Sequence, residues 1–107
     1  MLHRFTGFGN APCCPTAKVT LDAGGNIYSV SLGGTYFRGT AFRLKPTATH
    51  GNDWSFAILY TFTGAPNAAY PEAGLIFDKA GGLYSTTQGG GTGPCSGGCG
   101  TVFELVP

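Results

Sequence analysis

The sequence predicts an all-β protein built from two four-stranded antiparallel units. The first observation is composition: charged residues make up only 10% of the chain, glycine occurs 19 times, and Tyr, Phe, Thr and Val recur while Lys and Glu are scarce. That balance favours strands joined by tight turns. The second observation is that one succession of segments occurs twice. The third is that apolar and polar residues alternate within those segments, as they do along a strand with one buried face.

An internal repeat divides the chain into two copies of one unit. Three blocks recur in the same order, and the first of them is identical at four of its six positions. Such a pattern indicates duplicated structural units. We therefore predict a single domain, 1–107, made of repeats at about 2–46 and 59–107 with the linker 47–58 between them. The matched blocks are LHRFTG and LYTFTG from Leu2 and Leu59, LDAGGNIYSVSLGG and FDKAGGLYSTTQGG from Leu21 and Phe77, and GTAFRLKP and GTVFELVP from Gly39 and Gly100.

Each repeat predicts four strands in order. The first is LHRFT in one copy and WSFAILYTFT in the other, the second AKVTLD or AGLIFD, the third NIYSVS or GLYSTT, and the fourth GTAFRL or GTVFEL. In the fourth strand, Phe42 and Leu44 fall on one face and Arg43 on the other. Between the second and third strands, the turns AGGN and KAGG supply glycines that accept positive φ, which favours a tight hairpin.

The blocks LYTFTG, AGLIFD and LYSTT…GTVFEL resemble the GloVer-type tandem repeats of bacterial surface and secreted proteins. The resemblance covers nearly the whole chain, twice, although PCCPTAKV in the first copy departs from the P-x-A-G-L pattern. It implies that each unit is a propeller-like blade and that the parent protein is extracellular or lies at the cell surface. It implies almost nothing about activity.

Two units of this kind leave sheet edges without partners, and a propeller closes only with typically four to eight blades. We therefore predict a homo-oligomer that completes a propeller. Three chains would supply about six units and four chains about eight, and the trimer is favoured on prior frequency. The rival fold is one eight-stranded sandwich or barrel, in which the two units pack face to face.

Four cysteines bear on the redox setting. We predict a disulfide between Cys95 and Cys99, because the glycines between them let the chain fold back. Cys13 and Cys14 are adjacent, and they either bridge each other, pair elsewhere or stay reduced. Their spacing does not match the usual zinc-ligand pairs, so a metal site is the weaker alternative. A disulfide would indicate oxidising surroundings.

Charge and hydropathy exclude some classes of function. The net charge is +1 and the basic residues are scattered singly, so we predict no nucleic-acid partner. No apolar run reaches the roughly 18 residues of a membrane helix, so we predict no membrane span. The first residues do not have the pattern of a signal peptide.

Few residues are candidates for chemistry. His3 and His50 are the only histidines, and Asp53 could orient His50 as a base; a strand position and a solvated turn are the simpler interpretations. Asp22 and Asp78 occupy equivalent places before the hairpin glycines. They are candidate calcium ligands, with Asn26, Glu72 or Glu104 as helpers. The simpler interpretation is that these carboxylates accept backbone N–H bonds within the turns.

Aromatic residues outside the matched blocks suggest a binding surface. Rings in loops, near polar side chains, suit sugars, whose C–H faces stack on aromatic rings. We therefore predict a non-catalytic extracellular repeat or binding module that possesses a carbohydrate site. The alternative is a calcium-dependent hydrolase such as a propeller-type lactonase. The candidate sugar-binding residues are Trp54, Tyr36, Phe37 and Tyr70.

Overall fold

The structure, a computed structural model, describes residues 2–7, 11–15, 17–47 and 54–107. Within these residues it contains nine strands and no helix, and therefore no helix that could span a bilayer. The all-β prediction is confirmed. The strands are β1 (Pro12–Cys13), β2 (Thr20–Leu21), β3 (Ile27–Gly33), β4 (Thr40–Pro46), β5 (Trp54–Thr61), β6 (Ala68–Pro71), β7 (Ile76–Phe77), β8 (Leu83–Gly90) and β9 (Thr101–Leu105).

The strands form two antiparallel sheets, one of them curled into a half-barrel. In the first sheet, β1 and β2 pair with the two ends of one edge of β3, and β4 and β5 follow on its other side. In the second sheet, β6 and β7 pair in the same way with one edge of β8, and β9 lies on the other side. The predicted second strands AKVTLD and AGLIFD contain only the short strands β2 and β7, and the sequence analysis did not predict β1 and β6, which precede them on the same edge.

In each sheet, one edge is divided into two short strands, and the same polar contacts hold the chain between them to the central strand. The hydroxyl of Ser29 lies within hydrogen-bonding distance of the carbonyl oxygens of Ala17 and Lys18. In the second sheet, the equivalent Ser85 hydroxyl does so with the carbonyls of Ala73 and Gly74. Each hydroxyl has one proton and donates it to one carbonyl at a time; the nearer carbonyls are those of Lys18, at 3.0 Å, and Gly74, at 2.9 Å. The identical solution in both copies supports the division of the sequence into two repeats.

The predicted first strand of the first repeat is wrong. Residues 2–7 form no strand; they cross the face of the first sheet, where Phe5 meets Phe42 edge-on at 5.2 Å and His3 stacks on Phe56 at 4.0 Å. The pattern of LHRFT is compatible with a strand, but a strand needs a neighbour that bonds its backbone. In this sheet β5 pairs with β4, so residues 2–7 are left to pack through their side chains.

The strand β5 also corrects the predicted composition of the sheets. Its residues belong to WSFAILYTFT, the predicted first strand of the second unit, which begins in the linker. Yet β5 pairs with β4 of the first unit, from Thr40 opposite Thr61 to Pro46 opposite Trp54, with a register shift after Ala41. Consecutive strands joined by a short connection usually pair with each other. The boundary between the two sheets therefore falls after β5, inside the second repeat.

The core lies between the two sheets. We call Tyr28, Val30 and Ala41 the joining face of the first sheet, and Leu75, Phe77 and Leu83 the joining face of the second. These residues form one apolar cluster together with Phe62, which follows β5 and is almost completely buried. Tyr28 meets Phe77 edge-on at 5.3 Å. Burial of these side chains supplies most of the stabilisation that holds one sheet against the other.

Polar contacts reinforce this junction. The Thr20 hydroxyl donates to the carbonyl of Leu75, and the Phe62 N–H donates to the carbonyl of Gly39 at 2.9 Å. Gly39 has φ of +107°, and a Cβ atom there would lie 2.5 Å from Cδ of Pro71. Only glycine allows both this backbone conformation and this close approach of the two sheets.

We predict that Phe62→Ala destabilises the fold by about 3 to 5 kcal/mol, because it removes a buried ring from the junction and leaves a cavity. Urea unfolding measures the change in free energy. The control is Phe37→Ala, which truncates a largely exposed ring and should change stability by about 0.5 kcal/mol or less. Equal effects of the two substitutions would contradict the placement of the core.

Candidate functional site

Asp22 organises the hairpin between β2 and β3. Its Oδ1 accepts bonds from the backbone N–H groups of Gly24 and Asn26, each at 2.9 Å. Its Oδ2 accepts a bond from the Asn26 side chain at 2.8 Å and one from the Tyr28 hydroxyl at 3.1 Å. The carboxylate therefore holds the turn and also orients a tyrosine of the joining face.

Asp78 repeats this arrangement between β7 and β8. Its Oδ1 accepts bonds from the N–H groups of Ala80 and Gly82, and its Oδ2 lies 2.9 Å from the Tyr84 hydroxyl. That hydroxyl is also 2.8 Å from Oε2 of Glu104. Because a phenol has one proton, Tyr84 donates to one of the two carboxylates at a time. This second cluster is exposed, whereas Tyr28 is covered by the other sheet.

Hydrogen bonds and burial shift the pKa values of these groups. The side chain of Asn26, more than any other contact, lowers the pKa of Asp22, and the backbone N–H of Gly82 does the same for Asp78. Burial, followed by the bond to Asp22, raises the pKa of Tyr28. The bonds to Glu104 and then Asp78 raise the pKa of Tyr84. Both aspartates are therefore charged at neutral pH, and both tyrosines are protonated.

Acid should weaken the Asp78 hairpin. A carboxyl whose pKa is lower in the folded state stabilises the fold above its unfolded pKa, near 3.8, and this contribution disappears as the pH falls through the folded value. We predict that Asp78→Asn lowers the melting temperature at pH 7. Between about pH 5 and about pH 2, the variant should also lose less of its stability than the parent protein does.

The matched control for this measurement is Glu72→Gln, which removes an exposed carboxylate outside both hairpins. Thermal melts recorded by circular dichroism across the pH series give the comparison. A parallel decline of the Asp78→Asn variant and the parent protein would contradict the role of the Asp78 charge.

The other candidates for chemistry are dispersed. His3 is half-buried between Phe5 and Phe56, with its ring parallel to that of Phe56. His50 and Asp53 lie outside the described residues. Among the residues that the structure describes, no three His, Cys, Asp or Glu side chains come together in a group suited to hold a metal ion.

The structure separates the four candidate sugar-binding aromatics into two places. Tyr36 and Phe37 are exposed in the loop between β3 and β4, and this loop contacts Tyr70, whose N–H donates to the carbonyl of Arg38 at 2.7 Å. Trp54 is half-buried opposite Pro46, at the far end of β4. A strand of this length places the two ends about 20 Å apart, so Trp54 does not contribute to the same site.

Tyr70 lies where two open hollows meet. The larger, of about 480 Å³, is lined by Tyr70, Gln88 and the loop that contains Cys95 and Cys99. The smaller, of about 230 Å³, is lined by Tyr70, Arg38 and the turn after β5. The Arg38 guanidinium lies 5.5 Å from the centre of the Tyr70 ring, within the range of a cation–π contact. The site thus combines one aromatic ring with a cation and an amide.

Sequence reasoning missed Arg38 and Gln88. Arg38 belongs to the loop of one repeat and Tyr70 to an edge strand of the other, and only the packing of the sheets brings them together. A signal was nevertheless present, because Arg38 and Tyr70 both lie outside the matched blocks. Gln88 lies within a matched block, where the first repeat has Leu32 instead.

Two disulfides connect all four cysteines. Cys95 is bonded to Cys99, which confirms the predicted bridge, and Cys13 is bonded to Cys14. The Cys95–Cys99 bridge closes a short glycine-rich loop that forms one wall of the larger hollow. It therefore limits the conformations of that wall.

Compared with known proteins, the chain matches no protein-family model, no curated protein and no solved structure. The resemblance to GloVer-type repeats stays a prediction drawn from the motifs.

Proposed function

We propose that this chain is a non-catalytic repeat module of an extracellular protein and that it binds carbohydrate at Tyr70. The observation that carries the proposal is the partly exposed Tyr70 ring at the junction of two open hollows, with Arg38 beside one and Gln88 beside the other. The larger hollow has a volume within the range of small-molecule sites.

The chemistry of these groups suits a sugar. An aromatic ring offers a flat apolar surface to the C–H bonds of a pyranose, while a guanidinium and an amide can donate bonds to its hydroxyls. Gly97 and Gly98 lie in the wall of the larger hollow and have no side chains that would narrow it. The Gly97 carbonyl and the Gly98 N–H are bonded within the protein, to Gly90 and Cys95, and this holds the wall in place. Tyr36 and Phe37, exposed in the adjoining loop, extend the apolar surface for a longer glycan.

The hydrogen bonds of Asp22 and Asp78 support a structural role for these two residues, and they do not favour the alternative of a calcium-dependent hydrolase. Both carboxylate oxygens of Asp22 and Oδ1 of Asp78 accept hydrogen bonds within their own hairpins, and Oδ2 of Asp78 shares the Tyr84 proton with Glu104. An ion would have to compete with these donors. Stoichiometric calcium in a native preparation would favour the hydrolase instead.

The two disulfides support an extracellular setting, because such bonds persist where the surroundings are oxidising. The stacked, similarly built sheets support the further proposal that they are propeller blades. In that arrangement homo-oligomerisation completes the ring; three chains would supply six blades and four chains eight, both within the range of closed propellers, and three is favoured on prior frequency.

We predict that Tyr70→Ala weakens glycan binding by about five- to tenfold, since a stacked ring contributes roughly 1 to 1.5 kcal/mol. A glycan array identifies the ligand, and titration calorimetry with the best binder measures affinity. The control is Tyr60→Ala, which truncates a partly exposed tyrosine that lines neither hollow. No glycan bound at millimolar concentration, or equal affinity of Tyr70→Ala and the parent protein, would refute the carbohydrate site.

A further inference from the structure

The contact between the two sheets within one chain indicates how two molecules could pack against each other. Within the chain, the joining face of the first sheet covers the joining face of the second. The sheets are repeats of one unit. The second sheet therefore has residues equivalent to the joining face of the first, and the first sheet has residues equivalent to the joining face of the second. Those two counterpart faces have no sheet packed on them in the described part of the chain.

The second sheet presents the first of these counterparts. Thr86 and Val102 occupy the positions that Val30 and Ala41 hold in the first sheet. Ala41 is fully buried against the neighbouring sheet, whereas Val102 is 78% exposed. Beside Val102, the exposed Ile76 and the half-buried Tyr84 border a hollow of about 260 Å³. We call Ile76, Tyr84, Thr86 and Val102 the acceptor face.

The first sheet presents the other counterpart. Val19 and Leu21 occupy the positions that Leu75 and Phe77 hold in the second sheet. Leu75 is 2% exposed because the first sheet covers it, whereas Val19 is 57% exposed. Exposed branched apolar side chains grouped on one face are typical of an interaction surface. We call Val19 and Leu21, with the exposed Leu2, the donor face.

Residues 2–7 are placed for the same contact. Phe5 meets Phe42 at 5.2 Å and 68°, and the equivalent Phe62 meets Phe103 at 5.3 Å and 71°. His3 and Phe5 lie 4.9 Å apart at 84°, and Tyr60 and Phe62 lie 5.0 Å apart at 83°. Residues 2–7 therefore sit on the first sheet as residues 59–64 sit on the second.

This equivalence identifies a strand partner. In residues 59–64, Tyr60 and Thr61 pair with Ala41 and Thr40 of the neighbouring sheet. The corresponding His3 and Arg4 form no strand, and β9, which corresponds to β4, pairs with β8 alone among the described residues. Val102 and Thr101 of β9 are thus the matching partners of His3 and Arg4.

We propose that two copies of this chain associate head to tail, with the donor face and residues 2–7 of one copy on the acceptor face and β9 of the next. The proposal rests on the assembly in the proposed function and specifies the surfaces that form it. His3 lies opposite Val102 and Arg4 opposite Thr101, antiparallel, as in the pairing of β5 with β4. Such an interface joins two different surfaces, so it generates rings or filaments rather than isolated symmetric dimers.

Sedimentation velocity over a wide range of protein concentration tests the proposal. The parent protein should form species larger than the 11.0 kDa chain. Val102→Asp should weaken association by more than about tenfold, because the contact would bury an unpaired carboxylate. The control is Val106→Asp: Val106 is 77% exposed, and its counterpart Lys45 is exposed in the first sheet. This control should associate as the parent protein does.

A mixing experiment tests whether the donor face of one copy binds the acceptor face of another. Leu21→Asp damages only the donor face and Val102→Asp only the acceptor face, so each variant alone should be a monomer. Mixed together, they retain one intact donor and one intact acceptor face, and should form a heterodimer of two 11.0 kDa chains that grows no further. Circular dichroism verifies that each exposed substitution leaves the fold intact.

Three outcomes would overturn the proposal. They are a parent protein of 11.0 kDa at every concentration, equal loss of association in Val106→Asp and Val102→Asp, and a mixture that stays monomeric. Glycan binding is measured separately on the monomeric Val102→Asp variant. Absence of binding there counts against the carbohydrate site alone, whereas failure of the mixing experiment counts against the interface alone.

Discussion

The packing of one sheet on the other is the contact on which the rest of the structure depends. A sheet of four or five short strands has an apolar face that needs cover, and in this chain each repeat is too small to cover its own. Phe62 and Leu83 enter this junction from the second repeat, and Val30 and Ala41 enter it from the first. The close approach at Gly39 is possible because no side chain stands between the backbone and Pro71.

Polar contacts repeated in both copies give each sheet the same form. Ser29 and Ser85 hold the interrupted edges, and Asp22 and Asp78 hold the hairpins. With these features held in common, the differences between the copies fall mostly in the loops. Tyr70, Arg38 and the Cys95–Cys99 bridge belong to those differing parts, and they form the candidate sugar site. A shared scaffold with variable loops is a common way to place a binding site.

The offset between repeat and sheet has a mechanical consequence. Because β5 runs from the linker 47–58 into the second repeat and pairs with β4 of the first sheet, the two units are joined by backbone bonds as well as by side-chain packing. Separating the sheets would require β5 to leave β4 or Phe62 to leave the core. The same offset leaves residues 2–7 and β9 as complementary surfaces, which connects the internal architecture to the proposed assembly.

The sequence alone determined the all-strand class, the duplication, the Asp hairpins and the Cys95–Cys99 bridge, because local alternation, turn glycines and short spacing decide each of them. Only the tertiary structure decided that β5 pairs with β4, that residues 2–7 form no strand, that Cys13 bonds Cys14 and that Arg38 meets Tyr70. Strand-like residues show what a segment can form, but pairing also depends on which edge is free nearby. That information lies in the packing of the two sheets.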